Sequence, residues 1–128
     1  MSAAKTKTEH AYTAPLTVEV SNRPGGVVVR LAGACTMEVA SRISDALIKL
    51  AEQRPALVAV DMSSLDFIES SGLGGIVGGY LRLRRHQGEL RVVSPRPAIR
   101  EILELTRLTQ LFKVYDSVDA ALSAPLGG

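Results

Sequence analysis

Residues 56–62, Ala-Leu-Val-Ala-Val-Asp-Met, make a short and nearly continuous apolar run that ends on an aspartate and a methionine. Such a run suits a strand buried on both faces, as in a parallel sheet lying under helices. The flanking sequence must then supply more strands and the helices that cover them. LTVEVS (16–21) alternates like a strand, and residues 22–26 form a turn in which Gly25 and Gly26 can take positive φ. VVVRLAG (27–33) is a β-branched run, so these two segments predict a hairpin. A helix is expected from Thr36 or Met37, with Val39, Ile43, Ala46, Leu47 and Leu50 on one face and Pro55 beyond its end.

After the central run, a second helix is expected from Ser70 or Ser71 to His86, closed by Gly88 in a positive-φ conformation. ELRVVSP (89–95) reads as a strand. Pro97 with Ala98, Ile99, Ile102, Leu103 and Leu105 marks a third helix. LFKVYD (111–116) reads as a last strand and SVDAALS (117–123) as a last helix. This alternation predicts a single α/β domain over 15–123, with a mixed, mostly parallel sheet of about five strands under about four helices. Residues 1–14 and 124–128 read as tails.

Composition narrows the function classes. The chain has 128 residues, 46% hydrophobic and 22% charged, which fits one globular domain. Aromatics make up 4% and Trp is absent, so the core must be aliphatic and a base-stacking platform is disfavoured. A net charge of +2 is too mild to point to nucleic acid. Cys35 is the only cysteine, which excludes an intrachain disulfide and a cysteine metal cluster and suggests a reduced, cytoplasmic setting. No apolar segment is long enough to span a bilayer, and the N-terminus lacks the apolar core of a signal peptide.

The chemistry concentrates between residues 61 and 80. Asp61 ends the buried strand, and Glu69-Ser70-Ser71-Gly72-Leu73-Gly74 opens a helix. Such strand-to-helix junctions gather at the functional edge of α/β sheets. Ser70 fits a helix N-cap, and two readings of it stand side by side. In one, Ser70 and Ser71 are only caps, worth about 1 kcal/mol. In the other, Ser70 is an exposed hydroxyl open to phosphorylation. Its phosphate would carry about −1.5 to −2 charges and be steadied by the helix N-terminus.

Enzymatic readings find little support. The glycines from Gly72 to Gly79 miss the dinucleotide fingerprint, because Val77 stands where Gly or Ala is required. No Lys-Ser or Lys-Thr pair follows, so there is no P-loop. The Gly74/Gly78 and Gly75/Gly79 pairs instead suit close packing on the sheet or on a partner. His10 lies in the tail and His86 lies 16 residues past Ser70, so neither is placed as a general base for it. Asp61, Asp66 and Glu69 could suggest a metal, but Asp61 and Asp66 are better read as bonding loop backbone. No catalytic residue, metal site or cofactor is expected. Arg82, Arg84, Arg85, Arg91, Arg96, Arg100, Arg107 and Lys113 read as a solvated face, with Arg100 and Glu104 paired along a helix, or as a docking patch for an acidic protein.

The strand ending Asp61-Met-Ser63, followed by Ser70-Ser71-Gly72-Leu73-Gly74, resembles the STAS domain, and most closely the bacterial anti-sigma-factor antagonists. VVVRLAG matches that family's Leu-x-Gly strand end, and the resemblance runs over about residues 16–122. It implies a non-catalytic stress-response regulator of transcription that works by partner switching. Ser70 aligns with the phosphorylated serine. An anti-sigma factor with serine-kinase activity would phosphorylate it from ATP, and a metal-dependent serine phosphatase would reverse this. Glu69, Ser71, Gly72, Leu73 and Gly74 would form the rim that the kinase reads, with Asp61, Ser63 and Asp66 shaping the loop beneath. Two other roles follow from the same fold: a scaffold subunit beside other STAS proteins in a stressosome-like complex, and a nucleotide- or lipid-binding module. Neither nucleic acid nor membrane is expected as a partner of the antagonist. Two positions depart from the family pattern: Glu69 replaces the usual Asp, and Thr36 stands where Gly-x-Leu-Asp places its Asp. Ser71 and Thr36 remain further candidates for modification.

Overall fold

The computed structural model describes residues 14–127; His10 and the N-terminal tail through residue 13 lie outside them. Five strands form one sheet in the order β1-β2-β3-β4-β5. They are β1 (Thr17–Arg23), β2 (Gly26–Cys35), β3 (Leu57–Ile68), β4 (Glu89–Val93) and β5 (Lys113–Tyr115). The first pair is the expected antiparallel hairpin and every other pairing is parallel. Four helices follow the pattern: α1 (Ser41–Glu52), α2 (Ser70–Arg84), α3 (Pro97–Leu105) and α4 (Val118–Ser123). A short 3-10 turn, Met37–Val39, precedes α1. The mixed, mostly parallel sheet and four helices are those expected from the sequence.

Strand geometry sends alternate residues to opposite faces. Val58 and Val60 of β3, with Leu90 and Val92 of β4, join the main core beneath α1, α2 and α3, together with Ile43, Leu47, Ile76, Leu83, Ile99 and Leu103. Ala59 and Val93 face the other way, against Ala121 of α4. Each fully buried aliphatic side chain contributes roughly 1.5–3 kcal/mol. The larger cluster therefore carries most of the stability.

Several boundaries differ from expectation. β3 does not end at Met62 but continues to Ile68, so the anticipated loop under the helix is strand. It pairs there with the end of β2, which runs two residues past Gly33, from Ala32↔Ser64 to Cys35↔Ile68. Between Arg30 and Ala32, and again between Gly33 and Ala34, β3 advances one residue more than β2. These extra residues shift its buried positions to Met62, Leu65 and Ile68, three apart rather than two. Gly88 is not the left-handed stop of α2. Gln87 takes that conformation at φ 62, while Gly88 is required because an added Cβ would lie 2.8 Å from the Pro55 carbonyl oxygen. In the first turn Gly25 has positive φ and Gly26 does not.

Arg91 is a second correction. It belongs to no solvated face or docking patch, being only 1% exposed. It points to the α4 side of the sheet, where its guanidinium donates to the carbonyl oxygens of Ala121 (2.6 Å), Ala124 (2.9 Å) and Pro125 (2.7 Å). Glu89 neutralises it at 3.1 Å, and the Tyr115 ring lies 5.3 Å away. Removing one partner of such a buried charge costs roughly 3–5 kcal/mol. Arg100 and Glu104 are paired along α3 as expected, at 3.3 Å.

Candidate functional site

The site lies where β2 and β3 end side by side and α2 begins. The backbone N–H of Glu69 donates to the Cys35 carbonyl at 3.0 Å, so the chain turns from β3 into α2 while still tied to β2. Ser70 is not the N-cap. That position is Glu69, with extended backbone at φ −86, ψ 167, and Ser70 is the first helical residue. The tie to Cys35 accompanies an extended Glu69, and the helix starts one residue earlier than a Ser70 N-cap would give.

No side chain caps α2. The Glu69 carboxylate turns away from its own helix and accepts from the Met37 N–H at 3.2 Å. Thr36 precedes that turn and makes no capping hydrogen bond of its own. The first N–H groups of a helix have no intrahelical acceptor. Here those of Ser70 and Ser71 open a 15-residue helix beside two exposed hydroxyls. Gly72 and Leu73 N–H groups are taken by the Glu69 carbonyl at 2.9 and 3.2 Å.

Gly72 is buried for a steric reason. A Cβ there would sit 2.7 Å from Cys35 Sγ and 2.8 Å from Ile68 Cγ1. Cys35 is fully buried, and burial first and the Glu69 charge second push its thiol above the usual range. The neutral thiol fills space, in line with its reading as a small hydrophobe. Leu73 is buried with Ile76 and Leu83 in the main core. Gly74 is exposed, with open space where a Cβ would stand.

Asp61, Ser63 and Asp66 form a separate group on β3. Asp61 Oδ1 accepts from the Ser63 N–H at 3.0 Å, as expected for an aspartate bonding local backbone. Asp66 departs from that expectation, because it pairs with the Arg96 guanidinium. Arg96 also donates to the Ser63 carbonyl at 3.1 Å, so it ties the start of α3 to the far part of β3. No side-chain hydrogen bond links this group to residues 69–74 among the described residues. Arg30 adds a strand-to-strand contact to Ser64 Oγ at 2.8 Å. Sequence reasoning missed Arg96 and Met37 as members of the site. The pattern before Pro97 identifies a helix start but says nothing of the strand 30 residues earlier that Arg96 would reach.

The glycines of residues 72–79 lie within a regular helix and not in a phosphate-binding loop. No group of three or more His, Cys, Asp or Glu residues gathers to hold a metal among the described residues. No described helix is long and apolar enough to cross a membrane.

The family model described as "STAS domain" matches residues 17–121. The chain belongs to the STAS family. Among its relatives is the anti-sigma F factor antagonist of Paenibacillus polymyxa, 26% identical over 109 residues, covering 84% of this chain and 93% of that one. The putative anti-sigma factor antagonist BtrV of Bordetella bronchiseptica is 29% identical over 100 residues, covering 78% and 86% of the two chains. Among solved structures, an anti-sigma factor antagonist from Mycobacterium paratuberculosis superposes with a TM-score of 0.78 at 29% identity, covering 85% of this STAS protein's chain and 92% of that chain.

Proposed function

We propose that this STAS protein is a non-catalytic anti-sigma-factor antagonist, switched by phosphorylation of Ser70. The observation that carries this reading is the start of α2. Ser70 is exposed at the first helical position, no side chain caps the helix, and the N-cap carboxylate is engaged elsewhere. A phosphate there would meet free N–H groups and the positive end of the helix dipole. It would also reverse the local potential without entering the core. Relatives named as anti-sigma factor antagonists, aligned over most of their length, support the same role.

The partner is an anti-sigma factor with serine-kinase activity, which binds the unmodified chain. In the transfer, Ser70 Oγ forms a bond to the γ-phosphorus of ATP while the bond to the β,γ-bridging oxygen breaks. The hydroxyl proton leaves to a base of the kinase, and ADP departs. A metal-dependent serine phosphatase returns the hydroxyl by hydrolysis, releasing inorganic phosphate. Glu69, Ser71, Gly72, Leu73 and Gly74 make up the recognised segment, Gly72 and Leu73 through the backbone course they fix.

The test is phosphosite mass spectrometry on protein from its own host, with binding measured in parallel. Ser70→Ala should remove the phosphate and keep partner binding. Ser70→Asp and Ser70→Glu should weaken binding at least about tenfold, or about 1.4 kcal/mol. Strong binding by natively folded acidic variants would count against the repulsion mechanism.

A further inference from the structure

The Glu69 carboxylate does something unusual for a residue at a helix N-cap: it leaves its own helix uncapped and serves the neighbouring turn. That turn presents Met37, a residue 67% exposed. Glu38, beside it, is exposed as well. Thr36 and Glu69 are also the two positions that depart from the family pattern, and the bond joins Glu69 to the residue after Thr36. Glu69 gives the Met37 N–H a side-chain acceptor, at a turn that Thr36 leaves without a cap.

We propose that Glu69 couples the state of Ser70 to the placement of Met37, and that Met37 is the apolar anchor of the partner-binding surface. This rests on the Ser70 reading above. In the unmodified chain, the carboxylate holds the Met37 N–H and fixes the 37–39 turn next to the helix start. Ser70 and Met37 then form one surface. The complementary partner surface is an apolar socket flanked by cations, which face Glu38 and Glu69. A phosphate on Ser70 sits one residue from Glu69, so like-charge repulsion drives the carboxylate off the Met37 N–H. The turn is freed and the anchor is lost together with the charge pattern. The phosphate therefore acts at two points, at Ser70 itself and at a residue 33 positions earlier in the chain.

Glu69 is a positioning residue in this scheme, and its test must read Met37 directly. The full chain is labelled with 15N and prepared with serine or genetically encoded phosphoserine at position 70. Amide exchange at Met37 is then followed by NMR. Phosphoserine should speed Met37 exchange about tenfold, the scale of losing one charge-assisted hydrogen bond. Glu69→Ala should do the same without phosphate, and adding phosphate should then change nothing further. Glu69→Gln keeps an acceptor but no charge, so Met37 should stay protected with or without phosphate. Circular dichroism on each variant separates these effects from unfolding, and Glu69→Gln serves if Glu69→Ala does not fold.

An unchanged Met37 amide in the phosphorylated wild-type chain would overturn the proposal. So would equal acceleration in Glu69→Gln. These outcomes are independent of whether the host modifies Ser70. A host protein without phosphate would remove the switch and leave the coupling; a phosphorylated chain with a still Met37 would do the reverse.

Discussion

Helix α2 carries two glycine strips of the same spacing and opposite surroundings. On one, a Cβ at Gly79 would lie 2.6 Å from Leu47 Cδ1 and 2.7 Å from its Cβ, and one at Gly75 would lie 3.3 Å from Ser44. These two let α2 lie tight against α1, rather than against the sheet. On the other strip, Gly74 and Gly78 face nothing within 4 Å. Glycine inside a helix costs up to about 1 kcal/mol relative to alanine. The inner strip recovers that through packing. The outer strip does not recover it within the chain's own fold, so identical residues in one helix have different physical accounts.

The sharpest way to break this contrast is Gly79→Ala. Its clash is with the root of a buried side chain, so it should lose about 2 kcal/mol in denaturant unfolding, even after the gain in helix propensity. A loss under about 0.5 kcal/mol would show that the two helices are not close-packed there. Next in size, Gly78→Arg tests the outer strip under the proposed function. It should leave folding intact and weaken the anti-sigma-factor complex about tenfold, near 1.4 kcal/mol. Unchanged affinity would remove that strip from the interface. Gly74→Ala and Gly78→Ala should each raise stability by about 0.5–1 kcal/mol, read as a higher denaturant midpoint. Destabilisation by either would mean the strip is not open. Smallest of all, Gly75→Ala should fall within about 0.5 kcal/mol of wild type, because a 3.3 Å contact needs only a slight shift to offset its propensity gain.

These strips also mark how far the sequence could be read. Spacing of four shows that the glycines lie in strips, but nothing local says which strip meets α1. The central strand and the helix start at Ser70 were legible because an apolar run and a Ser-Ser-Gly-Leu-Gly segment carry their own signals. The far half of β3 was not. Its register shifts against β2 replace period two with buried Met62, Leu65 and Ile68, and a polar stretch with period three does not look like a strand. Arg84 and Arg91 are the same residue type a few positions apart, yet one is exposed and the other is sealed under α4. The carbonyls that seal it lie 30 or more residues later in the chain. Glu69 stands at the start of α2 where the sequence put it, but its bond to Met37 spans 32 positions and leaves no local trace.

The seal over Arg91 has a practical side. It grips main-chain oxygens, which every amino acid supplies, so the anchorage of residues 121–125 depends little on which side chains occur there. Glu89 also accepts from the Gly127 N–H, which fixes the path of the chain beside the first residue of β4. In a parallel sheet that edge is the one farthest from the end of β3, where Ser70 stands. A dye, tether or fused module joined after this point would leave from a defined exit on the opposite pole. It could report on, or immobilise, the protein without shadowing the surface at which a partner would arrive.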